Sequence, residues 1–244
     1  NHLISDPHLK EVRILIAGCG TGQQVVNAQR YNNARITAID LSSSSIAYAT
    51  RKTAELGIAN VQYIQMDLLE LHLLNQEFDV IECCGVLHHL HDPLLGLNSL
   101  IDSLRSQGYL KLAVYSELGR QDIATFSNLI GSYDKQISND DIRTLRREIL
   151  SYRSTDIEAI QLRHDFYTMS MYRDMCFHAN EHQFSINQLA AMLTTNKLQF
   201  LGFLLPDNDH KKYHRYFPLD LLHTDLNNWH EYEIKNPDTF RSMY

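Results

Sequence analysis

The sequence is poor in cysteine, and its cysteines lack the spacing that goes with disulfides or structural zinc. Four are present in 244 residues, and no C-x-x-C pair occurs among Cys19, Cys83, Cys84 and Cys176. We therefore expect free thiols, as in a reducing cytoplasm. No apolar run approaches the roughly 20 residues that span a bilayer, and no signal peptide is visible. These absences predict a cytoplasmic protein with no membrane partner.

Positive charge is also scarce. Lysine and arginine number 22 against 29 aspartates and glutamates, which gives a net charge of −7. A nucleic-acid-binding protein normally carries a basic footprint, so we expect no nucleic-acid partner. Internal repeats and low-complexity segments are absent as well, and the length suits one large α/β domain with an insertion or cap. Because the first residue is Asn1, we expect the chain to be part of a longer protein.

The sequence does contain an apolar run that leads directly into three alternating glycines. Residues Ile14 to Gln23 read ILIAGCGTGQ. The apolar part is typical of a strand buried on both faces of a parallel sheet. Glycines let the backbone turn sharply and approach a ligand, and the helix predicted from Gln23 to Tyr31 would point its free N–H groups at that ligand. A strand, a glycine loop and a helix form the first half of a nucleotide-binding βαβ unit.

The spacing of the glycines distinguishes between ligands. A dinucleotide-binding loop follows the pattern G-x-G-x-x-G. Here Gly18, Gly20 and Gly22 give G-x-G-x-G, with Gln23 where the last glycine would stand. This difference disfavours a nicotinamide-dependent oxidoreductase. A glycine-rich turn in some other α/β domain is the alternative interpretation.

Acidic residues follow the next two predicted strands. The second strand, Arg35 to Leu41, carries Asp40 at its end. Asp40 lies close to the interval of about 20 residues after the glycines at which a carboxylate binds ribose hydroxyls. A helix cap is the alternative role, because the serines Ser42 to Ser45 that follow also favour a helix start. The third strand, Val61 to Leu68, carries Asp67 near its end.

Two more strands complete the predicted sheet. Phe78 to Gly85 (FDVIECCG) is the fourth, and it leads into the histidine-rich VLHHLHDP. Pro93 suits the first turn of a helix, Gly108 is expected to end that helix, and Tyr109 to Ser116 is the fifth strand. Strands and helices that alternate in this way predict a parallel sheet. Ligands bind at the carboxyl ends of such strands, where the glycines, carboxylates and histidines all fall.

Beyond the fifth strand the pattern becomes mostly helical. A helix is predicted from Glu117 to Ile130, and Gly131 to His182 is too long for a simple connection, so we expect an inserted helical cap. A capping box at Ser185 predicts a core helix. Leu198 to Leu205 (LQFLGFLL) predicts a sixth strand, and Trp229 a packing anchor in a partly helical C-terminal segment. The predicted divisions are a nucleotide-binding core at 1–130, the cap at 131–182, and a return to the core sheet with a helical segment at 183–244.

Together these motifs resemble the class I, Rossmann-like S-adenosylmethionine-dependent methyltransferases. The glycine loop and the passage FDVI…VLHHLHDP resemble two motifs of that family. The C-terminal half, with KLAVYSELGRQDI and DFYTMSMYRDMCFHANEHQF, resembles bacterial methyltransferases often fused to tetratricopeptide repeats. The resemblance implies an α/β fold with a doubly wound, mostly parallel sheet and an inserted helical cap after strand five. This chain stops at Met243-Tyr244. In those relatives a short apolar strand follows the same Met-Tyr pair, so a seventh strand is expected to be missing or only begun here.

The resemblance also implies the reaction. A methyl group would pass from S-adenosyl-L-methionine to an unidentified oxygen or nitrogen acceptor, on a small molecule or a protein side chain, leaving S-adenosyl-L-homocysteine. Asp67 would accept a hydrogen bond from the adenine amino group, with Met66 and Leu68 packed on the ring. The predicted cofactor-binding residues are Gly18, Cys19, Gly20, Gly22, Asp40, Leu41, Met66, Asp67, Leu68 and Cys84. A catalytically silent domain that binds the cofactor and uses its cap as a protein-interaction surface is the alternative.

Histidines are the candidates for proton transfer. Oxygen acceptors and protonated nitrogens need a base with a pKa near neutrality, which histidine provides. His88 and His89 follow strand four and are the predicted catalytic residues. The predicted substrate-binding residues are Tyr115, His164, Arg173, His178 and His182. His178 and His182 also match the zinc pattern H-x-x-E-H, but a third ligand is not evident, and we predict no metal.

Overall fold

The computed structural model describes residues 11–130, 137–151, 158, 160–177 and 180–244. The chain divides into two compact units, residues 1–114 and 115–244, and each is described in turn. The predicted divisions at residues 130 and 182 assign roles to segments and stay a prediction. No helix in the described ranges combines the length and the apolar character needed to cross a membrane.

The first unit is built on a five-stranded sheet in which every pair of neighbours is parallel. The strand order is β3-β2-β1-β4-β5, and the strands are β1 (Val12–Ala17), β2 (Ala34–Asp40), β3 (Val61–Gln65), β4 (Phe78–Cys84) and β5 (Leu104–Ala113). The central strand β1 is buried from Ile14 to Ala17, as its unbroken apolar run predicts. The strand order reverses between β1 and β4, so their carboxyl ends open a crevice where ligands bind. The predicted α/β class with a parallel sheet is confirmed.

Helices flank this sheet and begin at caps that the sequence supplies. They are α1 (Gln23–Asn27), α2 (Ser43–Glu55) and α3 (Pro93–Asp102), with 3₁₀ turns at Ala28–Arg30, Leu68–Leu74 and Leu87–His89. The Ser42 hydroxyl caps α2 by accepting the Ser45 N–H. Asp92 caps α3, and Pro93 stands in its first turn. Each strand is thereby returned to the sheet in the same direction.

Two predicted strand boundaries are wrong by a few residues. β5 begins at Leu104 instead of Tyr109, because α3 already ends at Asp102 and the strand contains an irregularity. Gln107 takes a φ of +64° there, where the pairing between β4 and β5 changes register. β3 stops at Gln65, because the side chain of Asp67 caps the 3₁₀ turn that follows.

The second unit is helical. The helices whose bounds fall within the described residues are α4 (Gln121–Ile130), α5 (Asn139–Ser151), α6 (Met169–Phe177), α7 (Ile186–Thr195), α8 (Asp207–Tyr216) and α9 (Leu226–Lys235). One apolar cluster includes Phe126, Ile142 and Tyr172. A second surrounds Trp229, which is fully buried and stacks on Tyr213 with ring centroids 3.8 Å apart. The predicted packing role of Trp229 is confirmed, as is the capping box that opens α7.

The predicted sixth strand is wrong. Leu198 to Leu205 is described throughout and forms no strand. Its aromatic residues pack instead in the second cluster, where the rings of Phe203 and Trp229 have centroids 5.2 Å apart, and Gly202 turns the chain with a φ of +130°. An apolar run becomes a strand only where another strand pairs with it. Ser116 and Phe184 form an isolated parallel bridge outside the named strands. The predicted return of residues 183–244 to the core sheet stays a prediction.

Candidate functional site

The glycine loop after β1 has three left-handed residues, and the surroundings of its glycines are of two kinds. Gly18, Gly20 and Gly22 have φ values of +75°, +50° and +92°. A Cβ on Gly18 would lie 2.2 Å from Val86 Cγ2, and a Cβ on Gly22 would lie 3.0 Å from Ala49 Cβ. A Cβ on Gly20 would meet nothing within 4 Å. Gly18 and Gly22 are thus closely packed, whereas Gly20 borders open space.

Asp40 holds the loop at the end of β2. Its Oδ2 accepts the Gly20 N–H at 2.7 Å, and its Oδ1 accepts the Ser42 N–H at 2.8 Å. The Ile39 carbonyl accepts two further N–H groups of the loop, both at 2.9 Å. A carboxylate has about four lone-pair sites, so Asp40 retains capacity for hydroxyl donors of a ligand. The bond to Gly20 was not predicted, although both residues were expected at the carboxyl edge.

The end of β3 joins the same edge. The Met66 N–H donates to the Asp40 carbonyl at 3.0 Å, and Asp67 Oδ1 accepts the Leu69 N–H at 2.9 Å. Leu68 is buried, whereas Leu41 is 69% exposed. Gly20, Asp40 and Met66 are therefore linked by consecutive hydrogen bonds. The exposed apolar side chain of Leu41 follows the Asp40 carboxylate directly. Such a pair can pack on the flat face of a ligand and accept hydrogen bonds from its polar groups.

The two cysteines at this edge are uncharged. Cys19 is buried, and burial together with the nearby Asp40 carboxylate raises the pKa of its thiol to about 12. Burial also raises the pKa of Cys84, at the end of β4. Thiols with raised pKa values are poor nucleophiles. Both side chains are therefore small and neutral.

The predicted catalytic histidines lie directly after β4, in the 3₁₀ turn Leu87–His89. His88 is fully buried and His89 is half-buried. Their rings meet edge to face, with centroids 4.3 Å apart and an interplanar angle of 73°. Because a general base has to reach its proton, this geometry favours His89 over His88.

A buried carboxylate on β4 was missed by sequence reasoning. Glu82 is 1% exposed and accepts from Tyr31 Oη at 2.9 Å and from Arg30 and Lys111 at 3.2 Å each. Lys111 is its register partner on β5. An acidic residue inside the apolar FDVIECC run was the available signal, because a buried carboxylate needs cationic partners. Glu82 lies two residues before Cys84 and faces the same side of the sheet.

The predicted substrate-binding residues belong to the second unit. The Arg120 guanidinium lies 3.6 Å from the centre of the Tyr115 ring and binds both oxygens of Glu181, at 3.1 and 2.9 Å. Arg120, which is 1% exposed and was missed from the sequence, thus brings Tyr115 close to the segment containing His182. Arg173 donates to the Ile137 carbonyl and to Asn139 Oδ1, at 2.8 and 2.9 Å.

Two of these residues are only partly or not at all described. His164 stands in the 3₁₀ turn His164–Tyr167, without a described side chain, and His178 lies outside the described residues. The zinc pattern that includes His178 therefore also lies partly outside them. Within the described part of the chain, no group of three or more histidine, cysteine or acidic side chains is arranged to hold a metal ion.

Comparison with known proteins identifies the first unit. Residues 14–108 match the family model of a methyltransferase domain. An uncharacterised protein of a Synechococcus species is 34% identical over 206 residues, which cover 81% of this chain and 49% of that protein. A malonyl-[acyl-carrier protein] O-methyltransferase of Acetivibrio thermocellus is 34% identical over 122 residues, which cover 50% of this chain and 40% of that protein. The chain thus spans about half the length of these curated relatives or less.

A solved structure shares the fold. PKMT2 from Rickettsia typhi in complex with AdoHcy superposes with a TM-score of 0.65 at 18% identity, covering 95% of this chain and 48% of that one. The parallel sheet, the glycine loop and the family match agree. Residues 14–108 therefore form a methyltransferase domain, and its sheet has the class I, Rossmann-like fold, as the sequence motifs predicted. The likeness to repeat-fused relatives stays a prediction.

Proposed function

We propose that the chain binds S-adenosyl-L-methionine at the carboxyl edge of its sheet and transfers the methyl group to an oxygen or nitrogen acceptor. The observation that carries the proposal is the open space at Gly20, beside a loop whose amide is held by Asp40. The AdoHcy bound by the Rickettsia protein, which has the same fold, supports this choice of ligand. The acceptor is a small molecule or a protein side chain.

The residues at this edge fit the cofactor chemically. Asp40 would accept hydrogen bonds from ribose hydroxyls, and Asp67 one from the adenine amino group. Leu41, with its exposed side chain, would pack on the adenine ring. Gly20 would allow the backbone to approach the ligand closely. The remaining proposed contacts come from Gly18, Cys19, Gly22, Met66, Leu68 and Cys84.

When bound, the cofactor supplies an electrophilic methyl group on a sulfonium, so the protein's main task is alignment. Holding an acceptor in line with the bond to be broken contributes roughly 7–11 kcal/mol to lowering the barrier. His89 takes the acceptor's proton on an imidazole nitrogen, since histidine titrates near neutrality. His88, buried edge-on against that ring, orients it. Methyl transfer to a hydroxyl or carboxylate oxygen of the acceptor, with S-adenosylhomocysteine as the leaving group, is in keeping with the O-methyltransferase relative.

The second unit supplies the proposed acceptor site. We assign contacts with the acceptor to Tyr115, His164, Arg173, His178 and His182, which combine an aromatic ring with several hydrogen-bonding groups. Tyr115 is held by the buried Arg120, which limits the positions its ring can adopt. A ring fixed in this way loses little entropy when it packs on a ligand.

Calorimetric titration tests the proposal. S-adenosylhomocysteine is expected to bind one site per chain, whereas NAD is expected not to bind, because Gln23 replaces the last glycine of a dinucleotide loop. Incubation with S-adenosylmethionine carrying a labelled methyl group, followed by fractionation of candidate acceptors, then tests transfer. Failure to bind S-adenosylhomocysteine would refute the proposal. Binding without transfer to any acceptor would favour a catalytically silent domain.

A further inference from the structure

The glycine loop rests on α2 through small side chains. Ala49 and Thr53, one helical turn apart, are the buried residues of α2. Gly22, the N-cap residue of α1, approaches Ala49 so closely that a Cβ on Gly22 would lie 3.0 Å from Ala49 Cβ and 3.4 Å from Ala49 Cα. The volume of the side chain at position 49 therefore limits how near α2 comes to the loop.

A tyrosine from β3 fixes the same turn of α2. Tyr63 Oη donates to Thr53 Oγ1 at 3.2 Å, and Thr53 Oγ1 donates to the Ala49 carbonyl at 2.9 Å. Tyr63 Oη also lies 3.5 Å from the Cβ position of Gly22. Burial raises the pKa of Tyr63, so the hydroxyl stays protonated at neutral pH and can donate this hydrogen bond. Ala49 and Tyr63 thus confine Gly22 from two elements.

We propose that Ala49 and Tyr63 are positioning residues that set the place of the glycine loop and thereby the affinity for the cofactor. The inference rests on the proposed function. The middle of the loop is held at Gly20 by Asp40, and its last glycine, Gly22, packs against Ala49. A displacement at Gly22 would turn the N–H groups of α1 and move Gly20 against its fixed partner. Neither positioning residue needs to touch the ligand for this effect.

The test is an Ala49→Val variant, with dissociation constants for S-adenosylhomocysteine measured by calorimetry. The two added methyl groups overfill a packed site and displace the loop at Gly22, so we expect the dissociation constant to rise about tenfold. Ala54→Val, at an exposed position of the same helix, is expected to stay within about twofold of wild type. Val12→Ala, in the buried amino end of β1, controls for general loss of stability. It should lower the melting temperature of the free protein and leave affinity within about twofold.

The outcomes separate the two proposals. Failure of the wild-type protein to bind S-adenosylhomocysteine overturns the proposed function and this inference with it. Wild-type binding with unchanged affinity in Ala49→Val overturns the inference alone. So does an equal loss of affinity in Val12→Ala, which would make the effect one of stability. Should Ala49→Val not fold, the test passes to Tyr63→Phe, which keeps the ring and removes the hydrogen bond to Thr53. Its dissociation constant for S-adenosylhomocysteine is expected to rise about threefold. An unchanged dissociation constant in Tyr63→Phe would then refute the inference.

Discussion

Asp40 combines a structural bond with the proposed ribose contact, so its removal has two effects on one site. Asp40→Ala leaves the Gly20 N–H without its acceptor and deprives the ribose hydroxyls of a charged partner. We expect the dissociation constant for S-adenosylhomocysteine to rise by about tenfold or more, measured by calorimetry. Asp102→Ala, at the exposed end of α3, is the control and is expected to bind as wild type. Unchanged affinity in Asp40→Ala would contradict the ribose role.

Alanine substitutions at two glycines of the loop are expected to have different effects, one mainly on stability and the other mainly on cofactor binding. Gly18→Ala meets Val86 at 2.2 Å in addition to its left-handed backbone, so its main effect is a loss of stability of about 2–5 kcal/mol. Gly20→Ala has strain of about 1–2 kcal/mol but no clash. Its methyl group enters the space proposed for the cofactor, so binding falls more than stability does. Melting temperatures and calorimetry on both variants separate these effects; a Gly20→Ala protein with wild-type affinity would place the ligand elsewhere.

Residues whose chemical type is essential to the site could be predicted from the sequence, whereas residues that act through packing could not. The three glycines and Asp40 were predicted because a left-handed loop and a carboxylate at a strand end each restrict the residue type. Ala49 gave no such signal, because an alanine on a helix is ordinary until Gly22 is found against it. The bond from Gly20 to Asp40 is likewise a property of two neighbouring strand ends, and no local pattern encodes it.

At the level of elements, the buried strands were the most predictable. β1, β2 and β4 were predicted to within two residues, because burial on both faces demands a continuous apolar run. Leu198 to Leu205 has such a run too, yet it packs its aromatic residues around Trp229. Apolar composition reports burial, and pairing with a neighbour decides whether the buried segment is a strand.

A buried carboxylate in α9 makes the stability of the folded protein depend on pH. Glu233 is fully buried and accepts the Ser116 hydroxyl at 2.5 Å and the Tyr244 hydroxyl at 2.7 and 2.8 Å. Burial raises the pKa of Glu233 above its ordinary value of 4.5, against the opposing effect of these hydrogen bonds. The folded protein therefore holds this proton more tightly than the unfolded chain, so the contribution to stability is fullest below pH 4.5 and falls as pH rises through the folded pKa.

Glu233→Gln is expected to remove that dependence. The neutral amide keeps the size of the side chain and avoids burying a charge, so the melting temperature of the variant relative to wild type should rise by a few degrees as pH increases from about 5 to 8. Thermal unfolding followed by circular dichroism across this range measures the difference. Glu231→Gln makes the same change at an exposed position of α9 and should give a flat difference. A flat difference for Glu233→Gln as well would refute the raised pKa.

For the whole molecule, charge bears on the kind of acceptor. The net charge is −7, and several basic side chains in the described residues are already paired with acids. In the first unit Arg30 and Lys111 share Glu82, and in the second Arg120 binds Glu181. A guanidinium engaged by a carboxylate is less able to neutralise a phosphate, and nucleic-acid affinity depends mainly on such neutralisation. On this ground we propose a small-molecule or protein acceptor.

This argument predicts that the chain does not bind nucleic acid at the strength typical of general binders. Non-specific affinities of such proteins give dissociation constants of about 10⁻⁴ to 10⁻⁶ M at physiological salt, and they tighten steeply as salt is lowered. We expect no change in the fluorescence anisotropy of labelled tRNA or duplex DNA at about 10 µM protein, at physiological salt or at about 50 mM salt. The same samples, titrated with S-adenosylhomocysteine, serve as proof that the protein is folded and active in binding. A salt-dependent rise in anisotropy would contradict the prediction. It would show that basic side chains bind nucleic acid despite the negative net charge, and the search for the acceptor would then turn to a base or a ribose.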